Sequence, residues 1–146
     1  MAKRFTDTDI WKDDWFYELS VEYKLFWFYL KDDCNHAGIW KPKTRVFKSM
    51  TDVEINLDKA LQYFNAGKQR IRVLHNGSWF IEDFFLFQYT KKSRSLNLRN
   101  RVHESVLDTY LNNGIIPQTV KGLDFIISKD GVKYLTSEFD IFENEV

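Results

Sequence analysis

Cysteine is nearly absent from this sequence. Cys34 stands alone among 146 residues, so no intramolecular disulfide can form, nothing points to an oxidising compartment, and a cytoplasmic location is expected. Proline and glycine are scarce too, with two and six copies, which excludes collagen-like and linker-like chains. Net charge is missing: 21 Lys and Arg balance 21 Asp and Glu, so whole-chain electrostatics favours no polyanionic partner. Any such case must come from local distribution. The longest apolar run, Leu25 to Leu30, is far too short to span a bilayer, and MAKRFTDTDIWKDDW has no continuous apolar stretch of the kind that directs export. Neither export nor membrane insertion is expected.

Catalytic signatures are missing as well. No GxxxxGK[ST] phosphate loop, GxGxxG turn, HExxH pair or GxSxG elbow occurs, and each is the arrangement its chemistry requires. Cys34 and His36 are two apart without a second pair, a poor zinc site, and Cys34 lies on the apolar side of a helix where packing is its natural role. Asp13 and Asp14, like Asp32 and Asp33, suit solvated helix ends better than acid–base work. His103, at the border of an apolar stripe, reads as a packed histidine. An enzyme, a cofactor and a metal are all unexpected; a metal-dependent nuclease would have only scattered carboxylates behind it.

What is present is a core. The apolar share is 44% and the aromatic share 17%, enough for an ordered globular chain of ordinary domain size. Asp13 and Asp14 open a short helical stretch through Leu19, with Trp11, Trp15 and Phe16 as its packing face. Ser20 then caps a helix to about Cys34, in which Val21, Leu25, Phe28 and Tyr23, Trp27, Leu30 recur at helical spacing before Gly38. Gly38 to Lys41 is a brief edge strand before Pro42. Thr44 to Met50 predicts a short helix. Asn56 caps a second one, with Leu57, Ala60, Leu61 and Phe64 on one stripe and Gly67 as its stop.

Lys68 to Asp83 predicts a hairpin. Arg70, Ile71, Arg72 and Val73 alternate polar with apolar, Ser78 to Ile81 answers them, and Asn76-Gly77 suits the positive φ values of a type I′ turn. Phe84 to Tyr89 fits either a strand or a helix. Lys91 to Arg101 reads as an exposed basic connection, followed by a helix from Asn100 to about Asn113 with Val102, Val106, Tyr110 and His103, Leu107, Leu111 on adjacent stripes. Asp124 to Ser128 and Val132 to Leu135 form a candidate second hairpin around Lys129-Asp130-Gly131. Glu138, Asp140, Glu143 and Glu145 make the end acidic and frayed.

The order helix, long helix, short strand, helix, helix, hairpin is that of a winged helix, an α+β fold whose small antiparallel sheet gains a third strand from the short segment. The expected organisation is a winged-helix domain over 3–90, a basic connection and extra packing helix over 91–113, and an extension over 114–146. Cations gather along it: Lys41, Lys43, Arg45 and Lys48 before the second short helix; Lys68, Arg70 and Arg72 on the hairpin; Lys91, Lys92, Arg94, Arg99 and Arg101 beyond it. In the proposed recognition helix Asp58, Lys59, Gln62 and Tyr63 face outward, and Gln62 can read adenine while Lys59 reads guanine or phosphate. Solvation alone would also account for arginines alternating on a half-exposed strand.

DNA is therefore the expected partner. A protein-interaction or oligomerisation module without DNA contact is the alternative, because Trp11, Trp15, Trp40, Trp79, Phe84, Phe85, Phe87 and Tyr89 are many large rings for a small domain to bury. Core packing remains the default for most of them.

Three stretches carry a family resemblance: RFTDTDIWKDDWFYELSVEYKLFWFYLKDDCNHAGIWKPK, RIRVLHNGSWFIEDFFLFQY and NLRNRVHESVLDTYL. They resemble the amino-terminal domain of phage and prophage replication-initiation proteins, the replisome organisers, which are similar to bacterial primosomal initiation proteins. The resemblance covers Lys3 to Leu111. It implies a winged-helix domain that binds DNA or self-associates at the start of mobile-element replication, as a homodimer or higher oligomer, and a partner such as a helicase or its loader. Lys121 to Val146 has no match to the linker and second domain through which such initiators recruit a helicase.

Overall fold

A computed structural model describes residues 2–90 and 93–139. The protein is mixed α+β, with two three-stranded sheets among the described residues, and it divides into two compact units, Met1–Val73 with Gly77–Glu82 and Leu74–Asn76 with Asp83–Val146.

In the first unit a 3₁₀ turn, Thr8–Lys12, is capped by the Asp7 side chain, which accepts from the Asp9 N–H at 2.9 Å. Helix α1 (Asp14–Tyr17) is shorter than the stretch to Leu19 that the sequence suggested. The Lys24 ammonium supplies the reason, donating to the carbonyls of Tyr17 and Leu19 and so closing the helix end. Helix α2 (Val21–Asp33) has Ser20 at its N-cap position, although the Ser20 side chain makes no capping hydrogen bond. Strand β1 (Ile39–Trp40), helix α3 (Arg45–Thr51), helix α4 (Leu57–Phe64), strand β2 (Ile71–Val73) and strand β3 (Trp79–Ile81) follow. The sheet order is β1-β3-β2, antiparallel throughout. The short strand thus joins the hairpin as the third member of its sheet.

Phe26 sits at the centre of this unit and is fully buried. Its ring lies 5.2 Å from Phe47 of α3, 5.7 Å from Trp40 of β1, 6.1 Å from Phe64 of α4 and 6.5 Å from Trp79 of β3. One side chain therefore ties four elements to α2, through three edge-on contacts and one stacked contact, with Phe64, that favour aromatic pairs beyond their buried area. Trp40 and Trp79 are core, as are Phe84 and Phe85 of the second unit, whereas Trp11 is 63% exposed. Of the stripes read on α2, Trp27 and Leu30 are buried, but Val21 and Leu25 face outward.

The hairpin differs from expectation at its turn. Val73 pairs with Trp79 and Arg72 with Phe80, so the connection is longer than a two-residue turn. Gly77 has φ +83, but Asn76 does not share the positive φ that a type I′ turn requires. Leu74, His75 and Asn76 instead belong to the second unit. Leu74 is buried, and the Asn76 amide donates to Asn113 Oδ1 at 2.9 Å. Those contacts take the tip residues out of the ladder.

The second unit contains helix α5 (Phe84–Tyr89), strand β4 (Ser95–Asn97), helix α6 (Arg101–Asn112), strand β5 (Phe125–Ile127) and strand β6 (Lys133–Leu135). Phe84 to Tyr89 is thus helical and lies with the carboxy-terminal elements. Strand β4 falls inside the stretch read as an exposed connection. Its Ser95 and Leu96 are buried, and it pairs parallel to β5, which pairs antiparallel to β6. Asn100 caps α6 by accepting from the Val102 N–H, while Val106 and Tyr110 face the core with Leu96 and Ile126. Within the acidic end, Glu138 closes a 3₁₀ turn, Thr136–Glu138; Asp140, Glu143 and Glu145 lie outside the described residues.

Candidate nucleic-acid interface

Helices α3 and α4 both pack on Phe26 and leave their other faces to solvent. In α3 the inward residue is Phe47; Arg45 and Lys48 are exposed, and so are Lys41 and Lys43 just before it. Lys48 approaches Glu54 at 3.3 Å with both side chains largely exposed, a pair worth little in water and easily exchanged for a phosphate. In α4 the inward residues are Ala60 and Phe64, and the Asn56 side chain caps the helix by accepting from the Lys59 N–H at 3.0 Å. Asp58, Lys59, Gln62 and Tyr63 are the outward set that the sequence suggested. Tyr63 packs edge-on against Tyr23 at 4.9 Å.

The hairpin arginines are both engaged within the first unit. Arg70 Nη1 donates to the carbonyls of Phe64 at 3.2 Å, Ala66 at 2.8 Å and Lys68 at 3.3 Å. Its guanidinium also stacks 4.0 Å from the centroid of the Trp15 ring. It closes the carbonyl end of α4, where a cation also meets the negative end of the helix dipole. Arg72 Nε lies 2.9 Å from Glu82 Oε1, in a pair whose side chains are 24% and 4% exposed, and its guanidinium lies 5.1 Å from the Phe80 ring. Both guanidiniums are internal fasteners. Glu82 went unnoticed in the sequence because its partner is diagonal to it across the hairpin, a relation visible only once the register is known.

The third basic group lies in the second unit. Arg94 has φ +50 and approaches Asp124 at 3.5 Å; Arg99 and Arg101 are exposed. Lys91 and Lys92 lie outside the described residues. Lys68 is exposed on the approach to β2.

Among other polar groups, His103 is buried beside Phe85, and its Nδ1 accepts from the Asn97 N–H at 3.0 Å. Burial lowers its pKa from the ordinary value of 6.5, which keeps the ring neutral with its proton on Nε2. Cys34 is buried, and desolvation pushes its thiol up to about 11 against the opposing pull of Arg4. Among the described residues no three His, Cys, Asp or Glu side chains converge on a metal position, and no helix is long and apolar enough to cross a membrane. The chain matches no family model, no curated protein and no solved structure.

Proposed function

We propose that the first unit is a DNA-binding winged-helix module acting in the initiation of phage or mobile-element replication. The observation that carries DNA contact is the acid-free run Lys41, Lys43, Arg45 and Lys48, exposed on and before α3, together with Lys59 and Gln62 on the outward face of α4. Mobile cations in solvent gain counterion entropy when they meet phosphate. Gln62 and Lys59 are the side chains able to read base edges. Arg70 and Arg72 act in this reading by holding the sheet and the end of α4. Arg94, Arg99 and Arg101 add a second cationic group, and Lys91 and Lys92 continue it in sequence.

The replication role rests on the family resemblance of the three segments ending at Leu111, with a helicase or its loader as the protein partner. A mobility-shift titration tests DNA contact: Lys43→Ala with Arg45→Ala weakens binding at low salt while leaving the tryptophan emission of the folded unit unchanged. Equal binding by wild type and this variant would refute the assignment. A protein-interaction module without DNA contact is the second reading, favoured by the exposure of Trp11, Val21, Leu25, Val46 and Met50.

A further inference from the structure

The sequence holds two Asn-Gly pairs, Asn76-Gly77 and Asn113-Gly114, and in the second unit their asparagines meet: the Asn76 amide donates to Asn113 Oδ1 at 2.9 Å across 37 positions of sequence. Asparagine before glycine is prone to cyclise, because glycine carries no side chain to obstruct its nitrogen as it closes on the neighbouring side-chain amide. The two pairs share this chemistry but not their setting. Asn113 is half-buried and ends α6. Its Nδ2 donates to the Thr109 carbonyl at 2.8 Å, its Oδ1 accepts from Asn76, and the Gly114 N–H donates to the Leu111 carbonyl at 3.2 Å. The His75 ring fills the space that a Cβ on Gly114 would need, its Nδ1 only 2.6 Å from that position. The attacked amide and the attacking nitrogen are both fastened there. Asn76 and Gly77 are exposed, and nothing lies within 4 Å of the place where a Cβ on Gly77 would stand.

We propose that Asn76 is a self-modification site, at which the folded chain converts its own side-chain amide into a carboxylate with water as the only co-reactant. The Gly77 nitrogen gives its proton to hydroxide and attacks Asn76 Cγ. The bond from that nitrogen to Cγ forms, the Cγ–Nδ2 bond breaks, and Nδ2 takes a proton from water and leaves as ammonia. A second water then opens the cyclic imide. Cleavage between Cγ and the Gly77 nitrogen gives aspartate; cleavage between the Asn76 carbonyl carbon and that nitrogen gives isoaspartate, with the main chain rerouted through Cγ. Nothing is oxidised or reduced.

The product cannot keep the bond to Asn113. A carboxylate has no proton to donate, and it sets an anionic oxygen where the amide donor stood against Asn113 Oδ1. Leu74–Asn76 loses that tie to the end of α6, and Asn113 loses one of the bonds that hold its own amide. Conversion at Asn76 therefore comes first and quickens conversion at Asn113. It also gives a chain of zero net charge a negative one.

Timed incubation of the whole chain at mildly alkaline pH, followed by tryptic mapping and mass spectrometry against an unincubated control, tests the site. Cleavage after Arg72 and Arg101 puts the two asparagines on separate fragments, and each amide-to-acid change is read from its mass. In the folded chain Asn76 is expected to convert faster than Asn113 by on the order of tenfold or more, since Asn113-Gly114 must first release the bonds to Thr109 and Leu111. In urea the two rates should converge. Equal rates in the folded chain, a faster Asn113, or an Asn76 that converts only in urea would overturn the site. Asn76→Gln, which would have to close a larger ring, should keep its amide; acid formed there at the wild-type rate overturns cyclisation. Asn76→Asp reproduces one product at an exposed position, and circular dichroism checks its fold. In it Asn113 should convert about fivefold faster than in wild type, the equivalent of one lost hydrogen bond. An unchanged Asn113 rate overturns the coupling of the two sites.

Discussion

Replacing Arg72 by alanine separates an internal fastener from a DNA contact. In the folded chain Arg72 Nε is 2.9 Å from Glu82, whose side chain is only 4% exposed. Removing the guanidinium takes this cation from beside a buried carboxylate, and breaking a buried ion pair typically costs 3–5 kcal/mol. Arg72 itself retains 24% exposure, so water reaches the pair from one side and the lower end, about 3 kcal/mol, is expected. Loss of the contact with the Phe80 ring adds a few tenths of a kcal/mol to about 1 kcal/mol. A unit of this size has a total stability of about 5–10 kcal/mol, so the variant should remain folded but visibly weakened.

Urea unfolding followed by tryptophan emission isolates this effect, because Trp11, Trp15, Trp27, Trp40 and Trp79 all lie in the first unit. With a slope of about 1 kcal/mol per molar, the midpoint should fall by roughly 3 M. The double variant Arg72→Met with Glu82→Leu should recover most of the loss, since apolar replacement of both partners removes the buried charge as well as its cation. An Arg72→Ala unfolding free energy within about 0.5 kcal/mol of wild type, the ordinary result for a solvated surface residue, would refute the fastener.

Three further outcomes follow from the second unit and the core. His103 is held neutral with its pKa lowered by burial, so the unfolded chain takes up a proton first as pH falls; its stabilising effect is complete above about 6.5 and is lost below that value as pH falls through the folded pKa. The protection factor of the Asn97 amide, which is corrected for the intrinsic pH dependence of exchange, should therefore fall on acidification in wild type and stay level in His103→Gln; equal pH dependence of protection in both would contradict the assignment. Cys34, with its thiol near 11, exposes a thiolate fraction of about one in a thousand at pH 8, so a disulfide reagent should label the folded chain far more slowly than the urea-unfolded chain, and equal rates would count against its burial. Gly114→Ala places a Cβ 2.6 Å from His75 Nδ1 at a residue with φ +74; a loss of about 1–2 kcal/mol is expected in the second unit, read by exchange of the α6 amides, and an unaltered exchange pattern would refute it.

The elements of the first unit were legible because each has a local cause. Asn56 caps α4, Gly38 and Gly67 adopt positive φ after helices, and aromatic residues recur at helical spacing. What failed to show were relations set by distant residues. The Asn76-Gly77 pair has turn chemistry, yet Asn113 claims the Asn76 side chain and the ladder closes elsewhere. Strand β4 was hidden because Ser95 to Leu98 is a short apolar alternation among cations, and its partner β5 lies across α6 in sequence. The candidate interface divided in the same way. Exposure of Lys41, Lys43, Arg45, Lys59 and Gln62 follows from local periodicity. The inward capture of Arg70 and Arg72 depends on Trp15, the carbonyls ending α4, and Glu82.

DNA contact by α3 and α4 is the central claim, and salt dependence measures it most directly. With Lys41, Lys43, Arg45 and Lys48 meeting about four phosphates, the logarithm of the duplex-binding constant should fall with the logarithm of salt at a slope of roughly −3.6. Removing Lys43 and Arg45 together should reduce that slope by about two. A slope near zero, or no binding to duplex DNA at 50 mM salt, would contradict the account.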